Sequence, residues 1–554
     1  MEKTILKICL ERGFLLDKEM LELFSSLDEE SAKSLLEKLK EIKFQERVIT
    51  KASLSKNYEK IRNVLENGKN KTIIEKFFIN IGYKREEIEE KEITVEKKKE
   101  SNNEENVKIL YAPQLTPKKV EVQDFVNHFR ARYEQIKGIL MERDLDSLIS
   151  LRKIGGGRES YTIIVAIIQK RVTANKNIML EVEDPTGKTK VLINRNKEEL
   201  FNKAKDLLLD DIVALKVSGN SEILFANELY FPEAVLQQKK FAKEEEIIAF
   251  SSDMHVGSTM FLEENVLKFI RWLNGEEGDE KQREIARKIK YLFLAGDNID
   301  GVGVYPDQEQ NLKIKEIRAQ YRKLAEILSL IRKDIKIIMC PGQHDGVRVA
   351  EPQPIVTEEI APDLYNLKNL ILITNPSFVQ IRDFKVLVYH GASMHEVINE
   401  IEELRTKWKH DSPTKVVREL LKRRHLATTH GSVTYIPGEK EDPLVISQVP
   451  DIVLTGDLHK PEISTYNNIL LVSSSCWQSI TPFEEKVGNH PDPCKVPLFN
   501  LKTREIKILD FSDEKQEMLE EGKKAEIKIE TCTNKETNNC KLQEVVGEQK
   551  NECN

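Results

Sequence analysis

Five short clusters carry side chains able to do chemistry: Asp253-Met254-His255, Gly296-Asp297-Asn298-Ile299-Asp300, Gly342-Gln343-His344-Asp345, His390-Gly391 and Gly456-Asp457-Leu458-His459. They offer carboxylates, imidazoles and an amide oxygen, the ligand mix that suits manganese, iron or zinc. Singly, each has a plain structural explanation. A strand-terminal Asp often caps the next helix, a Gly-Asp pair makes a turn, and a lone histidine is more often a satisfied structural residue than a ligand. What favours a site is succession and setting, because all five directly follow an apolar run.

Those runs, at residues 247–250, 291–294, 335–339, 386–389 and 452–454, read as strands ending in polar, Gly-containing loops, with helical stretches between several of them. The pattern predicts a layered α/β domain over 241–511 with its chemistry at strand ends. Residues 148–240 have a different rhythm. The stretches 161–172, 178–183 and 188–193 are strand-like, with Asp184-Pro185-Thr186-Gly187 as a turn between the last two. A helix over 198–208 and strands at 212–217 and 223–231 follow. This order suits a five-stranded barrel of the oligonucleotide-binding type, a module that binds single strands or serves as a protein contact.

Before the barrel, Val122, Phe125, Val126, Phe129, Tyr133, Ile136 and Ile139 trace one face of a long amphipathic helix. The expected order is therefore a helical unit at 1–83, a charged linker at 84–120, helix plus barrel at 121–240, the α/β domain at 241–511 and a charged tail at 512–554. In the first unit, Ser26-Leu27-Asp28-Glu29 has capping-box form, and Ala32, Leu35, Leu36, Leu39 and Ile42 make an apolar stripe. The linker is mostly Lys, Glu and Asn, with too little apolar surface to offset ordering entropy.

The chain has 554 residues, a net charge of −7 and seven cysteines with no CxxC pair, which disfavours a disulfide framework or zinc ribbon. No apolar run approaches the roughly 20 residues that span a bilayer, and Met1-Glu2-Lys3-Thr4 does not begin a secretory signal. A soluble, cytoplasmic protein with no membrane partner is the expectation. The acidic balance only weakly disfavours a nucleic-acid partner, because it averages over acidic linkers.

The series DxH, GDxxD, G-[NQ]-H-D, HG and GDxH resembles the calcineurin-like metallophosphoesterase superfamily. Within it the chain resembles the small subunits of archaeal family D DNA polymerases, of the polymerase B-subunit family. Asp300-Gly301-Val302-Gly303-Val304-Tyr305-Pro306, Leu420-Leu421-Lys422-Arg423-Arg424-His425-Leu426-Ala427 and the order helix, barrel, phosphoesterase carry that closer match, over roughly residues 120–510.

The resemblance implies two divalent ions, manganese foremost, with magnesium, iron and zinc as alternatives. Asp253, His255 and His459 would hold the first, Asp297 would bridge, and Gln343, His390 and Asp457 would face the second. A shared carboxylate suits cations about 3.5–4 Å apart. His344 would stabilise the phosphate transition state and protonate the departing 3′ oxygen, with Asp345 orienting its imidazole or capping a helix. Gln343 and Asp457 depart from the usual Asn and His, both at the second ion.

The favoured function is metal-dependent 3′→5′ exonuclease proofreading on DNA 3′ ends, within a polymerase whose large subunit carries synthesis. A non-catalytic scaffold for that large chain is the main alternative, and an unrelated phosphatase leaves the barrel unexplained. DNA and the large subunit are the expected partners, with a sliding clamp as a further candidate. Lys422, Arg423 and Arg424 are candidate phosphate contacts, against a solvated helix face.

Overall fold

The computed structural model describes residues 106–114, 119–155, 160–220, 222–512 and 528–531, with short pieces at Leu15–Leu16 and Val48–Ile49. The chain divides into two compact units, 1–105 and 106–554. In the first, Leu15–Leu16 pairs in parallel with Val48–Ile49. The helical stripe from Ala32 to Ile42 and its capping box lie outside the described residues, as does linker segment 84–105.

The second unit contains the barrel and the α/β layers. The barrel closes through β2 (Ser160–Val172), β3 (Ile178–Asp184), β4 (Gly187–Ile193), β6 (Leu224–Tyr230) and β5 (Ile212–Gly219). Their alternating pattern sends Ile163, Val165, Leu180, Val182, Val191 and Leu215 inward to one core. Asp184 makes the predicted turn, its carboxylate accepting from the Thr186 and Gly187 amides at 2.7 and 3.0 Å. The helix of Glu198–Lys205 lies between β4 and β5 in sequence, where the pattern placed it.

The loops that carry the five Asp/His clusters sit on two sheets packed face to face. One runs in the order Leu370–Leu372, Lys336–Cys340, Ile289–Ala295, Ile247–Ser251, Lys495–Asn500, Ile506–Asp510, Lys528–Thr531. The other runs Glu462–Tyr466, Ile469–Ser473, Ile452–Thr455, Phe384–Val388, Ser377–Ile381, Val107–Tyr111. Alternate residues explain the apolar runs. Ile248, Phe250, Phe293, Val386, Val388 and Leu454 fill the space between sheets. Ala249, Leu292 and Leu294 face a core with helices Glu263–Leu273 and Ile317–Ser329, whereas Leu387 and Val453 face one with Pro413–Arg423. Strands covered on both faces must be apolar throughout. Parallel pairing of 247–251, 289–295 and 336–340, and of 384–388 with 452–455, aligns their carboxyl ends within each sheet.

Two expected segment assignments change. Val107–Tyr111, placed in the linker, is β1 of the second sheet, pairing antiparallel with Ser377–Ile381. Its partner lies some 270 residues away, so local composition could not reveal it. Lys528–Thr531, placed in the tail, pairs antiparallel with Ile506–Asp510, consistent with the alternation in Ile527-Lys528-Ile529-Glu530. Among the described residues no helix is long and apolar enough to cross a membrane.

Helix α1 (Val122–Met141) ties the barrel to the layered part. Tyr133, Ile136 and Leu140 pack with Ile164 and Ile212 of the barrel and with Val445. Beside them, buried Asp442 receives Arg132 Nε at 2.6 Å and contacts His425 Nε2 at 2.8 Å and His128 Nε2 at 3.3 Å. Asp442→Ala would strand the Arg132 guanidinium, which is 1% exposed. Losing one partner of a buried pair costs about 3–5 kcal/mol, so urea unfolding should show a midpoint lowered accordingly.

The same cluster sets a pH trend. Burial, with Arg132 adding to it, lowers His128 to about 4. Between there and the ordinary histidine value of about 6.5, the unfolded chain binds a proton that the folded chain refuses. The contribution of His128 to stability should therefore be flat above about 6.5 and fall as pH drops toward 4. Asp442, held below the usual carboxylate range by Arg132 and His425 despite its burial, adds to the loss only at still lower pH.

Candidate metal centre

The loops leaving the two sheets bring three ligand groups together: Asp253, His255 and His459; His255, Asp297 and His344; and Asp253, Asp297 and His390. Sharp backbone turns put them there. Asp253, His255, Asp297, Asp457 and His459 all have φ between 47° and 66°, the left-handed region that side chains rarely adopt. Glycines make the space. A Cβ on Gly342 would lie 2.2 Å from Asp297 Oδ1, and one on Gly296 2.3 Å from His390 Nδ1.

At the first position, His255 Nε2 lies 3.3 Å from His459 Nε2, and His459 Nε2 lies 3.4 Å from Asp253 Oδ1. Each imidazole is oriented from behind, His255 Nδ1 by Asp300 at 3.1 Å and His459 Nδ1 by Glu484 at 2.8 Å. With Nδ1–H given to a carboxylate, each Nε2 presents a lone pair to the other. Two acceptors that close repel unless a cation lies between, which is how a ligating histidine pair is built. The residues fit a metal.

The second position fits as well. His390 Nδ1 donates to the Ala295 carbonyl at 2.6 Å, and its Nε2 faces Asp297 Oδ1 at 3.3 Å and Asp457 Oδ1 at 3.8 Å. Gln343 Nε2 donates to Asp457 Oδ1 at 3.1 Å. His390 Nε2 and Gln343 Oε1 are buried with no hydrogen-bond partner, an arrangement that costs free energy unless a ligand satisfies them. The two departures from the usual motif thus meet each other at this position.

The electrostatics favour cations. Burial opposes ionisation of Asp297, but His390, His344 and His255 hold its carboxyl far below the usual range. For Asp457, burial is likewise overcome, by His395 and His390, leaving it at about 2. At His255 burial disfavours the charged ring, yet Asp300 and Asp297 still move its pKa upward. Positive charge is stabilised throughout the cavity.

His344 stands at the mouth, its side chain 20% exposed. Its amide donates to Asp297 Oδ1 at 2.9 Å and its Nδ1 to the Asp300 carbonyl at 2.7 Å, which leaves Nε2 free for a phosphate. Asp345 does not orient this ring, nor does it cap a helix, because residues 343–350 run through bends. Its carboxylate accepts from the Asn298 and Gly342 amides at 3.1 and 2.9 Å and from the Tyr321 hydroxyl at 3.1 Å, fastening two ligand loops together. Burial, then the Asp297 charge, raises it to about 6.

The basic trio is not a phosphate contact. Arg423 is buried, pairing with Asp211 at 3.0 Å and with Glu419. Arg424 is buried too, donating to the Ile446 and Ser447 carbonyls at 2.6 and 2.9 Å. Lys422 lies 3.4 Å from Glu419 and 3.6 Å from Asp206. Lys422 and Arg423 dock helix Pro413–Arg423 against the barrel loop at 206–211.

Sequence reasoning gave no role to Asp300, Glu484 or His395. Asp300 was visible as the last position of GDxxD. Glu484 was visible in Thr481-Pro482-Phe483-Glu484, a capping box whose Glu also turns to His459. His395 had no local signal.

Two packed sheets carry this Asp/His set at one edge, joined to a closed barrel and a leading helix. Residues 248–464 match the family model for the B subunits of DNA polymerases alpha and epsilon. Curated relatives match over more of the chain. The DNA polymerase II small subunit of Methanothermobacter thermautotrophicus is 36% identical over 393 residues, 71% of this chain and 80% of that one. That of Pyrococcus abyssi is 34% identical over 501 residues, 84% and 79% of the two chains. The chain therefore belongs to the family of archaeal DNA polymerase II small subunits, those of the family D polymerases. A small subunit implies a large catalytic subunit as its partner. Similar solved structures include an archaeal phosphodiesterase, 15% identical at a TM-score of 0.25, covering 47% of this chain and 98% of that one.

Proposed function

We propose that this subunit is the proofreading nuclease of its polymerase, a metal-dependent 3′→5′ exonuclease hydrolysing phosphodiester bonds at DNA 3′ ends. The observation that supports the reading is convergence: Asp253, His255, Asp297, His390 and His459 gather within reach of a shared ion, with His344 at the exposed side. Asp253, His255 and His459 would hold one divalent ion, Gln343, His390 and Asp457 a second, with Asp297 between them. Manganese suits this oxygen and imidazole set. When bound, the ions supply positive charge to the phosphate and acidify the attacking water.

The protein's own groups do the remainder. Asp300 and Glu484 aim the imidazoles of His255 and His459. The Asp300 carbonyl holds His344 with Nε2 outward, placed to donate a proton to the leaving 3′ oxygen. The barrel, of the oligonucleotide-binding type, holds the single strand that feeds the site. Synthesis belongs to the large subunit.

The test is digestion of a 5′-labelled single strand in manganese, by this chain alone and with its large subunit. A ladder of shortened products is expected. No cleavage in either form, with the two-subunit assembly intact, would leave a scaffold.

A further inference from the structure

Asp457 stands where a histidine would ordinarily serve the second ion, and a carboxylate poses a problem that an imidazole does not. It has two equivalent oxygens and a freely turning end, so it can chelate, swing away or take a proton. Something must fix which oxygen faces the site. Oδ1 faces inward, 3.1 Å from Gln343 Nε2 and 3.8 Å from His390 Nε2. Oδ2 faces the other way, buried without a fully formed hydrogen bond and 3.2 Å from His395 Nε2.

His395 is itself held. Its Nδ1 lies 3.2 Å from His410 Nε2, with ring centroids 5.1 Å apart. When His410 Nε2–H donates to His395 Nδ1, the neutral His395 ring carries its own N–H at Nε2, toward Asp457. Helix Met394–Glu400 begins four residues beyond His390, so one turn of chain supplies both a ligand of the second position and the clamp on its neighbour. His410 arrives from the far end of the segment that includes Leu404–Trp408, at a turn where Lys409 has φ 49°.

We propose that His395, backed by His410, is the positioning residue for the second cation: it holds Oδ2 of Asp457 so that Oδ1 alone is presented. Asp457 and His395 together then replace the single imidazole, the carboxylate supplying the ligand atom and the imidazole its aim. The side chain of Asp457 is 11% exposed, too buried for water to do this instead, while that of His395 is 49% exposed and so can be altered without disturbing the core. The inference rests on the two-ion reading of the site.

The experiment is calorimetric titration of manganese into the metal-stripped full chain, as wild type, His395→Ala and His395→Gln. Wild type should bind two ions. Outer-sphere partners of metal ligands typically contribute 10–100-fold in affinity, so His395→Ala should weaken one ion by about that factor and leave the other unchanged. His395→Gln, whose amide can still donate to Oδ2, should recover most of the loss. Equal binding of both ions by wild type and His395→Ala would overturn the proposal. Fewer than two ions on wild type would instead overturn the two-ion reading, and the inference with it.

Discussion

Asp297→Asn should abolish the proposed nuclease activity, with a fall of at least about 10³-fold in the rate of 3′-end release, and should reduce manganese binding from the proposed two ions to one or none. The expectation follows from position. Asp297 belongs to two of the three ligand groups, and its Oδ1 is both 3.3 Å from His390 Nε2 and the acceptor of the His344 amide at 2.9 Å. An amide keeps the volume but removes the charge that two cations would share. His390, His344 and His255 would lose the negative charge that now faces them, and the site would hold cations less strongly. The comparison is single-turnover digestion of a labelled strand beside a metal titration. A variant cleaving within tenfold of wild type would remove Asp297 from the bridging position.

His344→Ala should fail differently. Loss of a positioned general acid costs about 10²–10⁴-fold, so kcat should drop by that range while manganese binding and KM change little. The ring is anchored through Nδ1 to the Asp300 carbonyl, and with its Nε2 3.9 Å from Asp297 Oδ2 it is the least buried member of the group it forms with His255 and Asp297. A substrate whose leaving group needs no proton, such as a 4-nitrophenyl phosphodiester, separates the two roles. It should be cleaved almost as fast by the variant as by wild type if His344 is the acid. Equal damage to both substrates, with weaker manganese binding, would make His344 a ligand instead.

Much of this is legible in the residues alone, for a definite reason. Strands buried on both faces must be apolar without alternation, so runs such as Ile247-Ile248-Ala249-Phe250 announce themselves, and the polar clusters at their ends mark the edge where chemistry gathers. The barrel is legible through its alternation and the Asp184–Gly187 turn. What stays hidden depends on contacts between distant residues. Nothing near Val107 says that Ser377–Ile381 is its neighbour. Nothing near His395 says that Asp457 is. The basic trio misleads because charge runs usually lie in water, whereas Arg423 is buried against Asp211. Asp345 misleads because adjacency in sequence suggests contact with His344, when a turn sends the two side chains apart.

The joint between barrel and phosphoesterase layers has a kinetic meaning. Helix Val122–Met141 packs on both, Arg423 reaches Asp211 across them, and Asp442 draws Arg132 and His425 together behind the helix. A joint closed by buried ion pairs resists swinging, because parting it would leave buried charges unpaired. Under the proposed reading, this subunit waits while the primer terminus travels to it. The fraction of errors removed is then a race between that journey and the next nucleotide addition, and the mismatch itself, by slowing addition, decides who wins.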